Sequence, residues 1–335
     1  MLSTQGSRHK QSLRLGHVQQ SFDGVPMRIL VLGAGAIGGY YGGRLVQQGA
    51  DVTFLVRPAR RAILERDGLN IRSQYGDFHA PVKTVTKDEL SGNWDVVLLT
   101  SKAYDLDSAI EAIRPAVGPN TAILPLLNGM EHIDKLNAVF GANRVLGGQA
   151  KIIVTLDSDG TIQHLNDWCY IKFGEQSGVM SDRVQALQRA FPQGGVVASA
   201  VPDIMRNLWE KLVHLSTVAT VTTLLRASVG EIARVPGGTE LFYQVLSIHA
   251  EVATREGYPM TEAFLAEYRQ LFANKESAYV PSILRDLERK SSIEGEHIVG
   301  YMLGHTRAHG LDDTVHRICW MNLQAYEVRR ATGRL

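Results

Sequence analysis

A chain of 335 residues with a formal charge of +1 has length for two domains and no general electrostatic pull toward nucleic acid or a membrane surface. Apolar residues make up 44% and charged residues 21%, and no run of about eighteen apolar residues is present to span a bilayer. Cys169 and Cys319 are too few and too far apart for a disulfide framework, which implies reduced thiols and a cytoplasmic protein.

Residues 1–26 stand apart, being rich in Ser, Gln, His and Arg with little to bury. They lack acid before Asp23, as a transit peptide would, but their amphipathic pattern is poor. Met27 directly precedes the first strand and reads as a natural start, so the leader is expected to be a disordered extension or not native to the fold.

Ile29–Leu32 reads as a buried parallel strand, followed by Gly33-Ala34-Gly35-Ala36-Ile37-Gly38 and a helical pattern through Leu45 and Val46. Strand, glycine turn and helix are the context in which G-x-G-x-x-G binds a dinucleotide. Gly33 permits the tight turn, Gly35 lets a pyrophosphate approach bare backbone, and Gly38 lets helix pack on strand. The phosphates would sit at the helix N-terminus, where unpaired N–H groups favour anions. The next strand, Asp51–Val56, should end in a carboxylate if it held the two ribose hydroxyls of NAD. It runs instead into Arg57-Pro-Ala-Arg60-Arg61. A cationic fork suits a 2′-phosphate and points to NADP(H), the other reading being a solvated basic loop.

Gly68–Arg72 and Phe78–Val82 read as a small strand pair. Val96–Leu99 is a further bare apolar strand ending at Thr100-Ser-Lys102, followed by a helix over Leu106–Ile113. Ala122–Leu127 is another strand, ending at Asn128-Gly-Met130, with a helix over Glu131–Phe140. The alternation predicts a mostly parallel, doubly wound Rossmann-type α/β sheet, with Lys102 and Asn128 at the carboxyl ends of strands, where ligands lie. Two β-rich segments surround the hairpin signal Asp157–Gly160, and a helix near 181–191 and a strand at 196–197 close this domain. Beyond Pro202 the pattern is all-α, with breaks expected at Gly230, Pro236–Gly238, Gly257–Pro259 and Gly310. The expected domains are thus 27–200 for the cofactor and 201–330 for a helical substrate and catalytic domain.

Residues 204–225 are apolar or Thr on nearly every side, the mark of a buried helix. Lys211 is its one cation beyond the first two turns. A buried lysine has a lowered pKa and serves as a proton donor near neutrality. The alternative is a lysine that snorkels out or pairs with a structural acid. Taken singly, Lys102 also reads as a loop charge, Asn128 as a turn residue, Ser282 as a helix N-cap and Glu294 as a surface charge.

Gly33–Gly38, Lys102-Ala-Tyr, Asn128-Gly-Met, Leu208-Trp-Glu-Lys-Leu212, Ser282-Ile-Leu-Arg-Asp286 and Glu294-Gly-Glu-His-Ile-Val-Gly300 follow one another in an order that resembles the ketopantoate reductase family (2-dehydropantoate 2-reductase) from residue 27 to about 330. The resemblance implies an active site in the cleft between the two domains. There NADPH reduces the keto carbon of a branched 2-oxo acid, as in pantothenate biosynthesis. It implies Lys211 as the proton donor and Arg57, Lys102, Asn128 and Glu294 on the cofactor side. Ser282 falls on the serine that holds the substrate carboxylate, with Asn128 and Lys211 also facing substrate, and no metal is expected. A homodimer through the helical domain is an expectation by analogy alone. Leu215, Ala219, Val229 and Val299 stand where the family carries asparagines, so a more apolar substrate than ketopantoate is expected. The competing classes are an opine-type or 3-hydroxyacid dehydrogenase and a non-catalytic NADP(H) sensor.

Overall fold

The computed structural model describes residues 21–22, 25–192 and 195–335. The expectation of a disordered leader therefore lies mostly outside the described residues. It needs correction at its end, where β1 (Ser21–Phe22) and β2 (Val25–Pro26) pair antiparallel.

The chain then runs β3 (Arg28–Leu32), α1 (Ala36–Gln47), β4 (Asp51–Leu55) and α2 (Pro58–Asp67). It continues through β5 (Leu69–Arg72), β6 (Phe78–Ala80), β7 (Lys83–Val85), β8 (Val96–Leu99), α3 (Leu106–Ile113), β9 (Ala122–Pro125) and α4 (Glu131–Phe140). Strands β7, β4, β3, β8 and β9 lie side by side in that order, all parallel. The chain moves outward from β3 to one edge and then returns to build the other side. The switch of direction falls between β3 and β8, and the crevice beyond their carboxyl ends is where a doubly wound sheet takes its ligand. β3, β8 and β9 are short and apolar because helices cover both of their faces.

β10 (Leu146–Lys151), β11 (Val154–Leu156), β12 (Ile162–His164), β13 (Tyr170–Glu175), α5 (Asp182–Ala190) and β14 (Val197–Ala200) complete the first half. The hairpin at Asp157–Gly160 forms as expected. The sequence pattern does not disclose that its strands join β5 and β6 in one sheet, ordered β11-β12-β5-β6. Helix α1 is sandwiched between the two sheets, and this explains its run of small residues. A Cβ at Gly42 would lie 2.6 Å from the Phe54 ring, and one at Gly43 would lie 2.6 Å from Ile71 on the other side.

The second half is helical: α6 (Ile204–Leu225), α7 (Val229–Ala233), α8 (Gly238–Arg255), α9 (Glu262–Ala273) and α10 (Ser282–Glu288), then a π-helical turn Glu296–Gly300, α11 (Tyr301–Ala308) and α12 (Thr314–Ala331). Helix α6 is the axle, packed by α8, α12, α10 and the π turn. Three of its four threonines, Thr217, Thr222 and Thr223, are buried with their hydroxyls donating to carbonyls one turn back, whereas the buried Thr220 Oγ1 has no partner among the described residues. The break expected at Gly230 is not there, since Gly230 lies inside α7. It is glycine for close approach, as a Cβ would fall 2.6 Å from the carbonyl oxygens of Lys275 and Ser277. Among the described residues no helix is long and apolar enough to cross a membrane.

Candidate active site

The glycine turn leaves β3 with Gly33 at φ +89°, a conformation open to glycine and strained for other residues. Gly33 N–H donates to Leu55 O at 2.9 Å, binding the turn to the end of β4. Gly35 caps α1 without a side-chain hydrogen bond, and the first turn of α1 holds no acid. A Cβ at Gly35 would meet nothing within 4 Å, so the backbone there faces open space. Bare N–H groups at a helix start, with room for an anion to approach, fit a pyrophosphate. Ala34 is buried behind the turn, whereas Ala36 and Ile37 are partly exposed on it.

Of the three guanidiniums read as one cationic fork, two are engaged elsewhere. Arg60 folds back over the turn, donating to Ala34 O at 3.0 Å and Gly160 O at 3.2 Å. Arg61 pairs with Glu65 at 2.7 Å and Glu89 at 2.6 Å. Arg57, exposed at the start of α2, has no ion-pair partner among the described residues. Any 2′-phosphate reading thus narrows to one residue.

On the far side of the switch point, Glu294 gathers several sequence-expected residues. Its side chain is 7% exposed and sits just before the π turn. Oε1 accepts from the backbone N–H of Ala103 at 3.2 Å, and Oε2 accepts from Asn128 Nδ2 at 3.5 Å. Lys102 Nζ lies 4.0 Å from Oε2, with its own side chain 54% exposed. Glu294 is therefore no surface charge, and it stitches the helical half to the ends of β8 and β9. The two halves touch closely here. A Cβ on Gly129 would lie 2.4 Å from the carbonyl oxygen of His297, and Gly129 is at φ +83°.

Lys211 projects from the start of the third turn of α6 and donates to Ala150 O, on β10, at 3.2 Å. The residue keeps some exposure, yet loss of water around its ammonium drags its pKa down to about 8, with the Glu294 charge pulling the other way. Snorkelling into bulk solvent is excluded by that carbonyl contact. His132 nearby stays neutral: burial first, and then the charges of its neighbours, lower its pKa to about 3.

Ser282 stands apart from this group. It opens α10 but does not cap it, the cap position being Pro281, so the N-cap alternative fails. Helix α10 packs on α6, and Ile283 and Leu284 share an apolar cluster with Ala219 and Val299. Both Ala219 and Val299 are fully buried, and so is Val229 in the larger core.

Two features of the site escape a reading of the residues. The Ala150 carbonyl is backbone and carries no side-chain signal. An aromatic stack also adjoins Lys211: His214, one turn on, lies face to face with Tyr268 at 4.4 Å and with Tyr279 at 5.8 Å. Its Nε2 is 3.3 Å from the Tyr279 hydroxyl, and burial lowers its pKa to about 4.

The family described as "Ketopantoate reductase PanE/ApbA" matches residues 29–178, and its C-terminal counterpart matches residues 203–327. The chain is 34% identical to "Uncharacterized oxidoreductase YkpB" of Bacillus subtilis, over 91% of this chain and all of that one. It is 25% identical to 2-dehydropantoate 2-reductase of Aquifex aeolicus, over 90% of this chain and 97% of that one. Among solved structures, 2-dehydropantoate 2-reductase from Methylococcus capsulatus superposes with a TM-score of 0.81 at 27% identity, over 91% and 98% of the two chains. A D-mandelate dehydrogenase solved with NADH shares the fold alone, with a TM-score of 0.78 at 19% identity over 91% and 99%. With glycine turn, buried lysine and clasping glutamate all in place, the chain belongs to the ketopantoate reductase (PanE/ApbA) family of oxidoreductases acting on CH–OH groups.

Proposed function

We propose that this protein reduces a 2-oxo acid with NADPH, residues 27–200 holding the cofactor and 201–330 the substrate. The observation that supports this best is Lys211, with an ammonium whose pKa lies at about 8, beside the carboxylate that clasps Asn128 and Lys102. Bound NADPH would supply the hydride. Lys211 then gives its proton to the oxygen that becomes the alkoxide, a transfer favoured when the donor titrates near the working pH. Asn128, Lys102 and Glu294 hold the nicotinamide side and steer the lysine, and Ser282 anchors the substrate carboxylate. The test is NADPH oxidation over a panel of 2-oxo acids, and a chain that oxidises NADPH with none of them is not this enzyme.

The apolar residues at family asparagine positions support a substrate lacking ketopantoate's hydroxyl. Ala219 and Val299 supply no donor at those two positions and are fully buried, and the His214–Tyr268–Tyr279 stack gives Lys211 an aromatic neighbour. Branched or aromatic 2-oxo acids are expected to exceed ketopantoate in kcat/KM by on the order of 10- to 100-fold. Equal or better turnover of ketopantoate in side-by-side kinetics refutes the substrate change and leaves the reaction standing.

Cofactor choice rests on Arg57. A hydrogen bond to a charged group is worth about 1.5–3 kcal/mol, so Arg57→Ala should weaken NADPH binding roughly ten- to a hundredfold and leave NADH nearly untouched. Fluorescence titration with both nucleotides decides this, and an equal loss for each removes the 2′-phosphate assignment.

A further inference from the structure

Helix α8 closes on Glu256 and α11 closes on His309, so the two helix ends meet on the side of the helical half where Trp209 packs. His305 and His309, four residues apart, fall on one helix face. His305 Nδ1 lies 2.6 Å, and His309 Nε2 2.8 Å, from the same oxygen, Glu256 Oε1. All three ligand atoms lie within 4.8 Å of one another, and all three residues are partly buried. The imidazoles are held in place. The His305 ring packs edge-on against Trp209 at 5.8 Å and lies tilted against Tyr301 at 4.5 Å, and Arg255 donates to the His309 carbonyl at 2.6 Å.

We propose that Glu256, His305 and His309 form a divalent transition-metal site of the zinc class that ties the end of α8 to the end of α11. Two imidazole nitrogens and one carboxylate oxygen are a donor set for Zn²⁺ and its first-row neighbours, whereas Mg²⁺ and Ca²⁺ take oxygen. Bonds of about 2.0 Å at tetrahedral angles set donors roughly 3.3 Å apart, so the His305 ring withdraws about 0.7 Å and the His309 ring about 0.5 Å from Glu256 on binding. Side-chain rotation supplies that movement without shifting either helix. Three protein ligands leave the fourth position to water. Helix α11 continues directly from the π turn beside Glu294, so the metal braces the segment that carries the clasping carboxylate.

The test is zinc chloride titrated into chelator-treated full-length protein by calorimetry, with thermal unfolding in parallel. One zinc per chain is expected. Melting should rise by about 4 °C at a hundredfold excess over Kd, the shift that ligand linkage gives a chain of this size. Glu256→Gln, His305→Gln and His309→Gln should each lower affinity at least tenfold, while His79→Gln on the far domain should not. Cobalt substitution gives an independent reading through the visible bands of tetrahedral Co(II), which His305→Gln should abolish in protein shown to be folded by circular dichroism. No saturable zinc binding, or binding undiminished in all three variants, overturns the site.

Discussion

Lys211→Ala is expected to lower kcat for reduction about 10²- to 10⁴-fold, the usual worth of a positioned general acid, with NADPH affinity changed little. Helix α6 is enclosed by α8, α12, α10, the π turn and β10 among others and fixes the Cα, while Ala150 O fixes the ammonium. Loss of surrounding water brings its pKa to about 8, and the Glu294 charge stops it falling further. Arginine should not rescue the variant, because a guanidinium keeps its proton across the working range. The pH dependence follows with its sign. The donor must be protonated for reduction, so wild-type kcat should fall as pH rises through about 8 and stay level below it. For the reverse oxidation the neutral amine is the active form, and the limb inverts, rising through the same value. A rate within threefold of wild type in Lys211→Ala, or profiles of the same sense in both directions, removes Lys211 from the chemistry.

What the sequence disclosed and what it hid divide along a physical line. Strand β3, the glycine turn and α1 could be read because each signal is local: a short apolar run, three glycines and a helical period. Helix α6 was legible to its ends, since 22 residues apolar on nearly every side have no other soluble structure. The arginines after β4 were only partly legible. Spacing brings Arg57, Arg60 and Arg61 together, but nothing local says that Glu89, 28 residues on, waits for Arg61, or that Ala34 O waits for Arg60. The clasp at Glu294 joins residues 191 and 166 positions apart, a distance that no periodicity spans. Family resemblance pointed to those residues, whereas their burial and bonding come from tertiary packing. The aromatic stack beside Lys211 gave no signal either, because His214, Tyr268 and Tyr279 each look ordinary in their own segments.

Alanine at Gly38 and alanine at Gly35 should separate folding from cofactor binding, although the two positions are three residues apart. A Cβ at Gly38 would lie 2.2 Å from Gly33 O and 2.3 Å from Thr100 Oγ1. Neither neighbour can yield. Gly33 O is backbone, and Thr100 donates to Leu32 O at 2.8 Å. Helix α1 cannot lift away, because Phe54 meets it at Gly42 and Ile71 at Gly43. Gly38→Ala should therefore cost about 3 kcal/mol in chemical denaturation, the upper end for overpacking, and carry NADPH binding down with it. At Gly35 the backbone has φ −80°, which alanine adopts freely, and a Cβ there meets nothing. Gly35→Ala should keep wild-type stability and still lose NADPH affinity at least tenfold, since the methyl group fills the space through which a pyrophosphate reaches the bare N–H groups of α1. Unfolding curves and nucleotide titrations on both variants are sufficient. If Gly35→Ala binds NADPH as tightly as wild type, the open space over the turn is not where the phosphates lie.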